Sequence, residues 1–128
     1  MATKILHESY DHPNALIRRE ESQLAAAAAA NTTVAIFRRY QASRLKAIHG
    51  QVVVAGTGTT AGYRIKVGTS SVGALTFGTS AIGSVGSLVL DTALTANQVV
   101  SAENVADATI VAALNFEYEI PPSPTVTQ

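Results

Sequence analysis

The segment Val52-Val53-Val54-Ala55-Gly56-Thr57-Gly58-Thr59-Thr60-Ala61-Gly62 sets a G-x-G-x-x-A pattern directly after an apolar run. Dinucleotide folds use that pattern to lay a pyrophosphate on the N-terminus of a helix. The chemistry needs a helix after the glycines and an acid about twenty residues on for the ribose. Here Tyr63, Ile65 and Val67 alternate with Arg64 and Lys66, the period of a strand with one wet face. The next acid is Asp91. The glycines therefore predict a hairpin loop, and no cofactor is expected.

The other reactive types do not converge in sequence. His7 and His12 sit beside Glu8 and Asp11 in a segment with no visible frame for a metal, so no metal site is expected. His49 lies in a strand pattern, where one hydrogen bond and partial burial are expected. No serine occupies a G-x-S-x-G elbow, although a triad could assemble in space. Among Asp91, Glu103, Asp107, Glu117 and Glu119, only Glu117 and Glu119 share a strand face, roughly 7 Å apart. They read as a solvated face, and no catalytic residue is assigned. Arg18-Arg19 and Arg38-Arg39 suit protein carboxylates and interface anchoring. Asn31-Thr32-Thr33 is only a formal glycosylation acceptor.

These side chains must be positioned by a chain of 128 residues, which fits one domain with a real core. Hydrophobic residues make up 47% and charged residues 14%, so much of the surface must be small and neutral. Such a surface suits packing against other protein. Residues 1–50 hold seven Lys or Arg against four acids, and residues 51–128 hold two against five. The resulting polarity, +3 and −3, suits head-to-tail contacts, whereas a nucleic-acid binder would show a denser basic patch. Cysteine is absent, which removes disulfides and thiolate metal sites. The longest apolar run, 24–30, is far too short for a membrane span, and residues 1–10 lack the apolar core of a signal peptide. Synthesis in a cytoplasm is the expectation.

The pattern divides into an arm (1–33), a β body (34–120) and a Pro-rich tail (121–128). Within the arm, Asn14 could cap a helix over 15–30 that ends at Asn31; the alternative is an extended arm ordered by a partner. Residues 34–55 favour two strands by β-branched content, with a helix through Phe37, Gln41, Arg44 and Ile48 as the alternative. All nine glycines lie between Gly50 and Gly86 and punctuate a dense β region. Gly68-Thr69-Ser70 and Gly78-Thr79-Ser80 belong to near-copies, read as two matched turns of one meander. Strands are expected over 63–67, 72–77, 83–90 and 98–101, with a loop over 91–97. The clearest alternation closes the body, with Leu114, Phe116, Tyr118 and Ile120 on one face and Asn115, Glu117 and Glu119 on the other. Arg64 and Lys66 would pair with Glu117 and Glu119 if those strands were neighbours; otherwise all four are solvated.

Taken together, Phe37-Arg38-Arg39-Tyr40-Gln41-Ala42-Ser43-Arg44-Leu45-Lys46-Ala47-Ile48-His49, Val52-Val53-Val54-Ala55-Gly56-Thr57, Ile65-Lys66-Val67-Gly68-Thr69-Ser70-Ser71-Val72-Gly73 and the closing Phe116-Glu117-Tyr118 resemble the head decoration, or cement, proteins of tailed bacteriophages. The resemblance covers about residues 34–120. It implies an all-β body, a β-sandwich or jelly-roll-like barrel, often trimeric. Such a body sits on the outer surface of the virion head and clamps the junctions between major capsid protein subunits. The implied partners are the major capsid protein and copies of the chain itself, with no nucleic acid, membrane or small-molecule substrate. Leu16, Ile17, Arg18, Arg19 and Leu24 of the arm are the expected capsid contacts. The alternatives are a tail, neck or fibre component, a carbohydrate-binding β-sandwich and, last, an enzyme. The sugar binder would need exposed aromatics, while Tyr63 and Tyr118 read as core.

Overall fold

The computed structural model describes residues 17–57 and 61–120. Leu16, His7, His12, the centre of the glycine loop at 58–60 and the Pro-rich tail lie outside the described residues. Eight strands form the body: β1 (Ile17–Ala25), β2 (Thr33–Arg38), β3 (Ser43–Val54), β4 (Gly62–Val67), β5 (Ser70–Thr76), β6 (Val85–Leu94), β7 (Val99–Asn104) and β8 (Val111–Ile120). There is no helix among the described residues.

The strands make two four-stranded sheets, β1-β8-β3-β6 and β2-β7-β4-β5. β1 pairs with β8, β2 with β7, β3 with β6 and β4 with β5, all antiparallel. The chain is thus one nested hairpin, rolled so that alternate layers fall into opposite sheets. Ladders between β3 and β8 and between β4 and β7 then join the layers. This is a jelly roll.

Side-chain alternation fills the space between the sheets. On β8, Ala112, Leu114, Phe116 and Tyr118 are buried, while Ala113, Asn115 and Glu117 are only partly so. Phe37 stacks on Phe116 at 5.2 Å and meets Tyr118 edge-on at 5.0 Å. Tyr63 and Phe77 form a second edge-on pair at 5.9 Å. Gly50 makes room for Phe77, because a Cβ there would crowd its ring, and Gly86 makes room for the Thr76 carbonyl.

β1 lies inside the segment expected as an arm, and over 17–25 it is a strand in place of the considered helix. Its inner side is polar and seals one flank of the roll. Ile36 N–H donates to Gln23 Oε1 at 3.2 Å, and Gln23 Nε2 donates to the Ile36 carbonyl. Glu21 pairs with Arg39, whose guanidinium lies 5.0 Å from the Phe37 ring centre and 5.2 Å from that of Tyr118. The aromatic cluster is therefore closed by a cation and its carboxylate rather than by another apolar side chain.

Three local expectations change. The loop expected over 91–97 begins later, because β6 stays paired with β3 as far as Ser43↔Leu94. Of the repeated Gly-Thr-Ser units, the first is the β4–β5 hairpin turn, with Gly68 at φ 63°. The second lies in the connection that carries the chain from β5 in one sheet to β6 in the other. The copies thus sit at opposite ends of the roll and do different jobs. Finally, Arg64 and Lys66 do not meet Glu117 and Glu119, since β4 and β8 belong to different sheets. Both cations instead reach Glu103 on neighbouring β7, each at 3.2 Å.

Candidate interaction surface

Register across the sheet β1-β8-β3-β6 arranges its outer face in transverse rows. One end is charged. Arg18 contacts Glu119 at 2.7 Å and Glu117 at 3.3 Å. Asp91 takes Lys46 at 2.9 Å and Arg44 at 3.2 Å. The hydrogen bond to Glu119 is the chief cause that raises the Arg18 guanidinium above its ordinary pKa. The bond from Lys46, followed by that from Arg44, holds the Asp91 carboxyl below its ordinary pKa. These charges largely cancel one another within the face.

The next row is neutral and hydrogen-bonding: Ser22↔Asn115↔His49↔Ser87. Ser22 Oγ donates to Asn115 Oδ1 at 3.4 Å, and Asn115 Nδ2 donates to Glu20 Oε1 at 3.0 Å. His49 Nδ1 is hydrogen-bonded to Ser87 Oγ at 2.8 Å, the single bond expected of this histidine. The last row is mainly apolar: Leu24↔Ala113↔Gln51↔Val85. Between the two rows lies a shallow depression of about 290 Å³ lined by Ser22, His49, Gln51, Val85, Ser87 and Asn115.

Ser87, His49 and Glu117 form a line that invites comparison with a hydrolytic triad. The geometry stops short of one. Glu117 Oε1 is 4.0 Å from His49 Nε2, beyond hydrogen-bond reach, and is held by Arg18. Ser87 lies exposed in a regular ladder with no strained elbow to aim it. What the face supplies is a fixed array of donors, acceptors and methyl groups suited to packing against another surface.

The glycine segment meets the opposite condition to that of a nucleotide loop, since strand β4, not a helix, follows it. At this end of the roll Asn104 Nδ2 donates to the carbonyls of Ala28 at 2.5 Å and Asp107 at 2.8 Å. Asp107 Oδ1 accepts from Thr109 Oγ1 at 2.9 Å and from Thr109 N–H at 3.1 Å. These bonds tie the β7–β8 connection to neighbouring loops. No group of three His, Cys, Asp or Glu able to hold a metal occurs among the described residues.

The residues expected to touch a partner divide. Arg18 and Leu24 lie on the outer face, opposite Glu119 and Ala113. Arg19 is exposed at a register position opposite Tyr118, on the other side of the strand. Ile17 pairs through its backbone with Ile120, so β1 begins where β8 ends. Arg18 and Leu24 are about 20 Å apart along β1 and serve different neighbourhoods. The row of Ser22, Asn115, His49 and Ser87 went unrecognised in the sequence, because its members come from four strands. No protein-family model matches this chain, and no curated protein matches it in sequence.

Proposed function

We propose that this protein is a non-catalytic structural component of a tailed-bacteriophage virion. It binds the outer surface of the head, as a homotrimer, and holds the junctions between major capsid protein subunits. The observation that carries the reading is the outer face of β1-β8-β3-β6. Apart from Glu20, which accepts from Asn115, its charges are paired within the face, its remaining groups are short and rigidly spaced, and Leu24 and Val85 stand 64% and 68% exposed at the two ends of one row. A face of that kind gains more from contact with protein than from water. The resemblance of residues 34–120 to decoration proteins supports the same reading. Jelly rolls also recur in viral capsid domains, an argument by analogy of fold alone.

In this reading the segment before β1 contributes to capsid contact, and each copy adds modest contacts that act together in the trimer. The protein is made in the host cytoplasm and works on the assembled head. The test is co-sedimentation of the purified protein with expanded capsids that lack it. Saturable binding at many copies per capsid is expected; protein left wholly in the supernatant refutes the reading.

The depression between the rows favours a second reading, binding of a hydroxyl-rich glycan by Ser22, His49, Ser87 and Asn115. The exposed ring Tyr40 lies on the β2–β3 connection and offers no stacking platform there. Perturbation of the His49 ring NMR signals by oligosaccharides at low millimolar concentration would favour this second reading.

A further inference from the structure

We infer that the β6 and β1 edges of the same sheet are the two halves of one head-to-tail interface between copies of this chain. The inference rests on the reading of the protein as a self-assembling surface component and names the surfaces that assemble.

The strands β1, β8, β3 and β6 alternate in direction. A β1 strand from a second copy, placed beyond β6, would continue that alternation as an antiparallel neighbour. β6 is open to such a neighbour. It is the last strand of its sheet, its Val85 and Val89 are 68% and 81% exposed, and it carries no Lys, Arg or Pro. Soluble proteins blunt a free edge with those residues or with a bulge, and the irregularity that β6 carries lies at 89–92, away from Val85 and Ser87. Asp91 is the one charge on β6, and it stands toward the strand's C-terminal end.

β1 offers the complementary pattern. Extending the transverse rows past β6 brings Leu24 of the second copy beside Val85, and Ser22 beside Ser87. Apolar meets apolar and hydroxyl meets hydroxyl. Between these rows and the far end Glu20 of the second copy falls beside Val89, and at the far end Arg18 falls beside Asp91, which already takes Lys46 and Arg44 of its own sheet. A contact between two different edges is heterologous, and it closes into a ring when the rotation per copy divides a full turn, three copies for a trimer. Leu24 is thereby assigned to a neighbouring copy and not to the capsid.

The test uses full-length protein without capsids, so that failure of capsid binding and failure of this interface are read separately. Val85→Lys disables the β6 edge and Leu24→Lys disables the β1 edge. Both side chains are mostly exposed, so each variant is expected to keep the wild-type circular dichroism and cooperative unfolding. Val89→Glu is a second β6-edge variant at a still more exposed position, and it sets a carboxylate against Glu20 of the second copy. Light scattering should show an oligomer for the wild type and monomers for each variant alone. An equimolar mixture of Val85→Lys and Leu24→Lys should form a heterodimer, because each variant retains the edge the other lacks. A monomeric wild type at the highest soluble concentration overturns the inference. So does a Leu24→Lys variant that still self-associates while Val85→Lys and Val89→Glu do not, the signature of β6 pairing with β6.

Discussion

Arg18 Nη2 donates to Glu119 Oε2 at 2.7 Å, joining the first strand of the roll to the last. Glu119 is the more buried partner, with its side chain 11% exposed against 50% for Arg18. Removing the cation leaves a nearly buried carboxylate without its main partner, a larger loss than deleting an exposed pair. Arg18→Ala is expected to lower the thermal midpoint and to speed hydrogen exchange in β1. Arg18→Lys should recover part of the loss, since a lysine reaches one carboxylate where the guanidinium reaches two. An unchanged midpoint in Arg18→Ala would show that the β1–β8 backbone ladder alone holds the edge.

Two carboxyl groups contribute to the acid limb of stability. Asp91 is held below its ordinary pKa chiefly by the bond from Lys46, and Glu103 chiefly by the bond from Lys66. Folded protein therefore binds these protons more weakly than the unfolded chain. The stabilisation is complete above the ordinary carboxylate range, near pH 4, and is lost as pH falls through the depressed values. Midpoints measured from pH 7 downward should stay level and then drop below about pH 4. Asp91→Asn should flatten part of that drop, and added salt should shrink it. A drop centred above pH 5 would point to other groups.

The Tyr63 hydroxyl is buried with no hydrogen-bond partner among the described residues. Burial, aided by the negative charge of Asp107, pushes its pKa up to about 12. An unpartnered hydroxyl in a core is a desolvation cost without return. Tyr63→Phe keeps the ring and its edge-on contact with Phe77 while removing that cost. Urea unfolding should show a variant equal to the wild type or more stable by up to ~1 kcal/mol. Clear destabilisation would mean that the hydroxyl is bonded in solution.

Glycines at two positions serve different purposes. At Gly86 an added Cβ would run into the Thr76 carbonyl, where β6 comes close to β5. At Gly68, in the β4–β5 turn, space is open but φ is +63°. Gly86→Ala should therefore cost about 1–3 kcal/mol through backbone displacement, and Gly68→Ala about 1 kcal/mol through the left-handed conformation alone. Gly68→Asn should cost less than Gly68→Ala, because asparagine tolerates that region. Equal losses at the two sites would remove the distinction.

How much of this was legible depended on what each strand does. β8 could be read directly, because Leu114, Phe116 and Tyr118 are buried and the residues between them are polar. β1 could not. Its inner side carries Glu21 and Gln23, which find guanidinium and backbone partners where most strands find methyl groups, and Arg19, which is exposed. Local pattern has no means to foresee such contacts, and the alanines that follow Leu24 suggested a helix. Alternation puts the cations Arg64 and Lys66 on a wet strand face, but their partner depends on which strands fall in the same sheet. The hydrogen-bonding row of the candidate surface was hidden for the same reason: His49 and Ser87, 38 residues apart in sequence, meet only through the nested topology.

The position of β1 also fixes where the chain can be shortened. Removing residues 1–16 should leave the roll folded, whereas removal through residue 30 would strip β1 and uncover the flank of β8. The most direct test of the account images expanded capsids lacking this protein after incubation with the full chain and with residues 17–128. Added density on the outer surface, repeating at the junctions between capsid subunits, is the result predicted for the full chain, with lower occupancy for the shortened one. Bare capsids, or density confined to a single vertex, would contradict it.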